Sequence, residues 1–155
     1  LTIHFIGQPQ SKKIKDIVGE FDWIQTLSRQ VELEKIAQVA EQKQFRQKVL
    51  IQVNIAGEET KQGVSPSELE ALVTASLQHE WVDLRGLMFL PPPSQEEQVS
   101  LQWFEKCADL FKKMQEKYPQ NFTTLSMGTS QDYLLALRKG STLVRLGESL
   151  LGPRP

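Results

Sequence analysis

Cysteine is nearly missing from this chain. Cys107 stands alone, so neither an intrachain disulfide nor a thiolate metal cage can form. Histidine is almost as scarce, with only His4 and His79, and no histidine–carboxylate metal cluster or nucleophile–base pair can be located. Neither sign of charge dominates: 18 Lys and Arg stand against 19 Asp and Glu, a formal net charge of −1. Without a basic run, nucleic acid is not expected as the main partner. No apolar run approaches the roughly 18 residues that cross a bilayer, and no signal-peptide pattern is found. No membrane partner is therefore expected, and the compartment reads as cytoplasmic. What remains is 155 residues, 39% hydrophobic and 24% charged, enough for one globular domain with a real core.

Short apolar segments alternate with amphipathic ones from end to end. Strands are predicted over Thr2–Ile6, Trp23–Leu27, Val49–Ile55, Leu84–Leu90, Thr123–Met127 and Thr142–Leu146. Helices are predicted over Ser11–Val18, Val31–Lys43, Ser67–Gln78, Gln95–Tyr118 and Gln131–Lys139. Ser65 to Glu68 reads as a capping box with Pro66 at the first helical position, and Ser94 to Glu97 repeats the box after three prolines. Trp103, Cys107, Leu110, Phe111, Met114 and Tyr118 recur at helical spacing, marking one apolar face. Gly140 stands where a left-handed cap is expected.

Six strands separated by helices, with no hairpin signal, imply parallel strands joined by right-handed crossovers. The strands carry His4, Gln52, Asn54 and Arg145. Polar residues inside strands fit a barrel, which aims them into its lumen, better than an open sheet buried on both faces. A closed parallel barrel needs eight strands, so the pattern reads as a partial barrel, two βα units short. Its edges at Thr2–Ile6 and Thr142–Leu146 are then expected to be unpaired and to invite self-association.

The most informative stretch is Leu125 to Gly147. Two strand ends of small residues, Ser126-Met127-Gly128-Thr129-Ser130 and Arg145-Leu146-Gly147, flank one helix. Side by side on a parallel sheet, such ends form an anion cradle of backbone amides, as in barrels that hold a phosphate after the seventh and eighth strands. A structural alternative has Ser130 capping the following helix. Arg145 alternates with Leu143 and Gly147, and an inward arginine needs an acceptor. Gly147 would let a ligand approach closely.

These segments, with His4-Phe5-Ile6-Gly7, Gln10, Lys13, Gln52-Val53-Asn54, Glu58, Lys61, Gly63, Gly86-Leu87-Met88, Pro91 and Gly152, carry a resemblance. The chain resembles the pyridoxal phosphate homeostasis protein family (YggS/PROSC type), related to the alanine racemase N-terminal barrel. The resemblance implies an α/β fold, a partial (β/α)8 TIM barrel of the PLP-binding type (fold type III) with strands 3 to 8 present. It implies one domain over 1–155 lacking the first two βα units and the lysine that holds PLP covalently. It implies pyridoxal 5′-phosphate as cofactor and a non-catalytic carrier role in vitamin B6 homeostasis. The alternatives are a PLP-dependent racemase-like enzyme or a fragment without cofactor function. The phosphate would rest on Ser126, Met127, Gly128, Thr129, Ser130, Gly147 and Glu148, with Arg145 toward the pyridine nitrogen. An arginine can only donate there, which keeps the ring unprotonated and a weaker electron sink.

Other positions read less sharply. Asn54 is a candidate to orient a ligand from a strand end. His4 is a candidate lumen residue, though a lone strand histidine is more often a packing residue. Met88 could touch the ring or merely fill a gap. Glu58 and Lys61 read as a solvated pair, Asp132 as helix-dipole compensation, and Lys12, Lys13 and Lys15 as solvent-facing. A carboxylate at Glu148 is tolerable beside a phosphate only if its side chain turns away.

Overall fold

The computed structural model describes residues 1–58 and 60–152. Six strands form one sheet in the order of the chain: β1 (His4–Phe5), β2 (Trp23–Leu27), β3 (Gln47–Val53), β4 (Val82–Phe89), β5 (Thr124–Thr129) and β6 (Leu143–Arg145). Every neighbouring pair is parallel. Between them run α1 (Ile14–Ile17), α2 (Gln30–Gln42), α3 (Leu69–Leu77), α4 (Glu97–Lys117) and α5 (Tyr133–Arg138), and α6 (Glu148–Leu151) follows β6. Sequential order with a helix in every crossover is the layout of a β/α barrel rather than a doubly wound sheet, whose strand order reverses.

The predicted elements all form, most of them trimmed. Both edges shrink to a few residues, β1 to His4–Phe5 and β6 to Leu143–Arg145, because an edge strand has a ladder on one side only. Every helix start but that of α2 moves inward. Ser65 Oγ donates to Glu68 Oε2 (2.5 Å) but α3 begins only at Leu69. Ser94 Oγ accepts from the Glu96 amide (3.1 Å), one residue short of the expected box. The carboxylate that does reach back over a helix start is Glu32, which the sequence reading passed over. Its Oε2 accepts from the Arg29 and Ser28 amides (3.1 and 3.0 Å) at the head of α2. Gly140 takes the expected left-handed cap, φ +88°.

The core lies between the sheet and the helices. Ile24, Val49, Ile51, Leu84, Leu87, Leu125 and Met127 pack against Leu33, Ile36, Leu72, Phe104, Cys107 and Ala136, each large apolar side chain worth about 1.5–3 kcal/mol on burial. On α4, Phe104 joins this core whereas Trp103 stays half-exposed under Lys106 Nζ (4.5 Å from the ring). Burial pushes the Cys107 thiol up to about 12, so it is an inert packing group. One glycine is demanded by strand approach: a Cβ on Gly86 would lie 1.9 Å from the Thr124 carbonyl oxygen of β5.

The opposite face of the sheet is different. His4, Gln25, Leu50, Gln52, Met88 and Ser126 alternate with the core-facing positions, so they line the concave, lumen side. Leu50 and Met88 are buried there outside the main core, and the rest are polar.

Candidate functional site

At the carboxyl ends of β5 and β6 the two strand tips meet. Ser130 Oγ accepts from the amides of Gly147 (3.0 Å) and Ser149 (3.2 Å). Gly128 and Gly147 therefore belong to one end of the sheet. Ser130 does not cap α5, whose N-cap is Asp132; it secures the first turn of α6 instead. Gly128 sits at φ +93°, and a Cβ there would come within 2.6 Å of Ala136 Cβ, so it admits α5 to the strand tip. Gly147 has nothing within 4 Å of where a Cβ would stand and faces open space.

The other cradle residues divide. Met127 buries its side chain in the core, which leaves only its backbone near the tip. Thr129 is already engaged: its amide (2.7 Å) and hydroxyl (3.1 Å) both donate to Asp132 Oδ1. Asp132 is thus a loop-fixing acceptor, more than a partner of the helix dipole. Glu148 is exposed at the first position of α6, its carboxylate out in solvent. The amides of Ser130 and Glu148 have no partner among the described residues. Both are free to donate to an anion.

Arg145 is not a surface residue. Its Nη1 donates to Ser126 Oγ (2.5 Å) and its Nη2 to the Phe89 carbonyl (2.8 Å). Burial pushes its pKa down to about 10, with Asp132 opposing, so it stays cationic at neutral pH. Two of the five guanidinium N–H bonds are used, which leaves three for a ligand. Ser126 Oγ in turn donates to Gln25 Oε1 (2.7 Å), and Gln25 Nε2 meets His4 Nδ1 (2.9 Å). His4 lies flat on Trp23, ring centroids 5.3 Å apart. Burial lowers its pKa below 6.5, Asp22 raising it and Lys48 lowering it further. Met88 is level with Ser126 across the β4–β5 ladder and buried.

Asn54 falls outside this assembly. Its Nδ2 donates to the carbonyls of Glu58 (2.7 Å) and Lys61 (3.3 Å), and its Oδ1 accepts from the Glu58 amide (3.2 Å). The amide is consumed in pinning its own loop, so the ligand-orienting role expected of it is not supported. Glu58 and Lys61 make the expected local ion pair (2.6 Å), and Lys12, Lys13 and Lys15 are exposed. Gln25 and Glu32 were both missed by sequence reading. Gln25 was readable from its alternation with Trp23 on β2. Glu32 was not, because its donors come from two loops, including Gln8 Nε2 at 2.6 Å.

A cleft of about 220 Å³ opens beside the cradle next to Ser94, Gln131 and Asp132. A larger one, about 370 Å³, lies away from it near Glu41, His79 and Trp81, and no convergent donor set lines it. No cluster of metal-ligating residues occurs among the described residues, and no helix among them is long and apolar enough to cross a membrane.

Known proteins share this architecture. The alanine racemase N-terminal domain family matches residues 1–155. The pyridoxal phosphate homeostasis protein of Aquifex aeolicus is 37% identical over 154 residues, covering 99% of this chain and 68% of the relative. That of Vibrio cholerae is 39% identical over 158 residues, covering 99% and 65%. The chain thus spans about two thirds of the length of these relatives. Among solved structures, PipY of Synechococcus elongatus with PLP bound superposes with a TM-score of 0.88 at 30% identity, over 98% of this chain and 71% of that one. An alanine racemase of Clostridium difficile shares the fold alone, with a TM-score of 0.77 at 19% identity over 100% of this chain and 40% of that one. Parallel order, polar lumen and sequence agree, and the chain belongs to the alanine racemase N-terminal domain family, among relatives named pyridoxal phosphate homeostasis proteins.

Proposed function

We propose that this chain binds pyridoxal 5′-phosphate and serves PLP homeostasis as a carrier, its six strands standing for the third to eighth of a (β/α)8 barrel. The observation that carries the reading is the joining of two strand tips at Ser130 with a half-buried, cationic Arg145 behind them. The residues present fit the group: two amides without partners among the described residues, an open volume over Gly147, and a guanidinium with N–H bonds to spare. PLP, when bound, supplies an electron-withdrawing pyridine ring and a dianionic anchor.

The chain's own residues do the rest. The Ser130 and Glu148 amides hold the phosphate, Gly147 leaves it room, and Asp132 keeps the Thr129 turn in shape. Met88 gives the ring an apolar wall. Arg145 offers a donor and never an acceptor, so it holds the ring nitrogen without delivering a proton at neutral pH. That damps carbanion chemistry and suits carriage over turnover. A reducing, cytoplasmic setting suits a chain with one buried thiol.

Deoxypyridoxine 5′-phosphate, which lacks the aldehyde and cannot modify surface lysines, tests the site by equilibrium dialysis against unphosphorylated pyridoxine. We expect the phosphorylated compound alone to be retained, with Arg145→Leu weakening it about 10–100-fold, the worth of one charge-assisted hydrogen bond. Equal retention of both compounds would remove the phosphate cradle from consideration.

A further inference from the structure

The lumen holds a polar chain that crosses the sheet. It runs from Arg145 on β6 to Ser126 on β5, then to Gln25 on β2 and His4 on β1. The step from Ser126 to Gln25 joins strands that are not neighbours in the sheet, so it passes across the concave face. Gln25 is 2% exposed and Ser126 fully buried, where an unmatched polar group is costly.

Donor and acceptor counting gives this chain a direction. A guanidinium can only donate, so Ser126 Oγ accepts from Arg145 and its own proton must go elsewhere. The acceptor within reach is Gln25 Oε1 at 2.7 Å. That fixes the amide, and Nε2 then points its protons at His4 Nδ1 (2.9 Å), which must be unprotonated to accept. The imidazole is held as the Nε2–H tautomer.

We infer that Gln25 is a positioning residue: a one-way donor chain, Arg145 to Ser126 to Gln25 to His4, fixes the guanidinium on the last strand and the imidazole tautomer on the first. Reversing the amide would leave the Ser126 proton without an acceptor. Gln25 thereby decides which N–H bonds of Arg145 are spent inside the protein and which stay available. Its relevance to a pyridine nitrogen rests on the function proposed above; the chain itself does not.

The test uses the ¹⁵N-labelled chain without ligand, read by His4 ring nitrogen shifts and by water exchange of the Arg145 side-chain protons. In the unsubstituted protein His4 should be the Nε2–H tautomer and the Arg145 protons protected. Gln25→Leu should mix the His4 tautomers and speed Arg145 exchange at least about tenfold, one lost neutral hydrogen bond. Gln25→Glu should keep Arg145 protected, because a carboxylate still accepts from Ser126, yet turn His4 to the Nδ1–H form. That tautomer reversal is a result that mere packing would not give. Unchanged Arg145 exchange in Gln25→Leu, or an Nδ1–H imidazole in the unsubstituted protein, overturns the inference. Adding deoxypyridoxine 5′-phosphate separates the two proposals. No binding with the tautomer effects intact removes the function and leaves the chain of donors; binding with unmoved tautomers does the reverse.

Discussion

The two faces of this sheet are made by alternate residues of the same strands, and they do opposite work. On β5, Leu125 and Met127 enter the dry core while Ser126 between them reaches Arg145 and Gln25. On β2, Ile24 is core and Gln25 is lumen. The helix side holds the fold by apolar burial, which is non-directional and tolerant of exchange at constant volume. The lumen side holds particular side chains by directed hydrogen bonds, each worth little alone and costly to leave half-made. Stability and specificity are therefore separable here, one residue apart.

The sharpest break of that contrast is Gly86→Ala. The added methyl meets the Thr124 carbonyl oxygen at 1.9 Å with φ at +143°, and no flexible side chain is there to yield. A loss on the order of 4 kcal/mol or more is expected, seen as a collapse of the urea midpoint. Phe104→Ala, on the helix side alone, should cost about 3–5 kcal/mol while leaving the His4 tautomer unmoved in whatever fraction stays folded. The smallest effect sharpens the lumen side. Because burial holds the His4 pKa below 6.5, the unfolded chain binds more protons as pH falls through that value. Stability from this group is thus full above about pH 6.5 and declines below it. His4→Gln should flatten the melting-temperature profile between pH 7 and 5; an unchanged slope would place the acid sensitivity elsewhere.

Much of the fold was legible because it rests on local pattern. Alternating strands and helices, the apolar stripe of α4 and the Gly140 cap all depend on residues within a few positions of one another. The candidate site was legible in part. Ser130, Gly147 and Arg145 announced themselves by small-residue strand ends and by a charge inside a strand. Asn54 misled, because an amide at a strand end reads the same whether it serves a ligand or its own loop. Met127 entered the motif by its backbone alone, and membership of the motif said nothing about which face its side chain takes.

By itself, the sequence determined six strands, their parallel sense, and a strand-end pair with the composition of an anion cradle, since period, turn chemistry and residue size are local properties. Tertiary structure alone decided that Gln25 meets Ser126, 101 positions away, that Glu32 gathers donors from two loops, and that Thr129 is already taken by Asp132. Hydrogen bonds across a lumen depend on how far the sheet curves and which side chains then come within about 3 Å, and no periodicity along the chain encodes that distance.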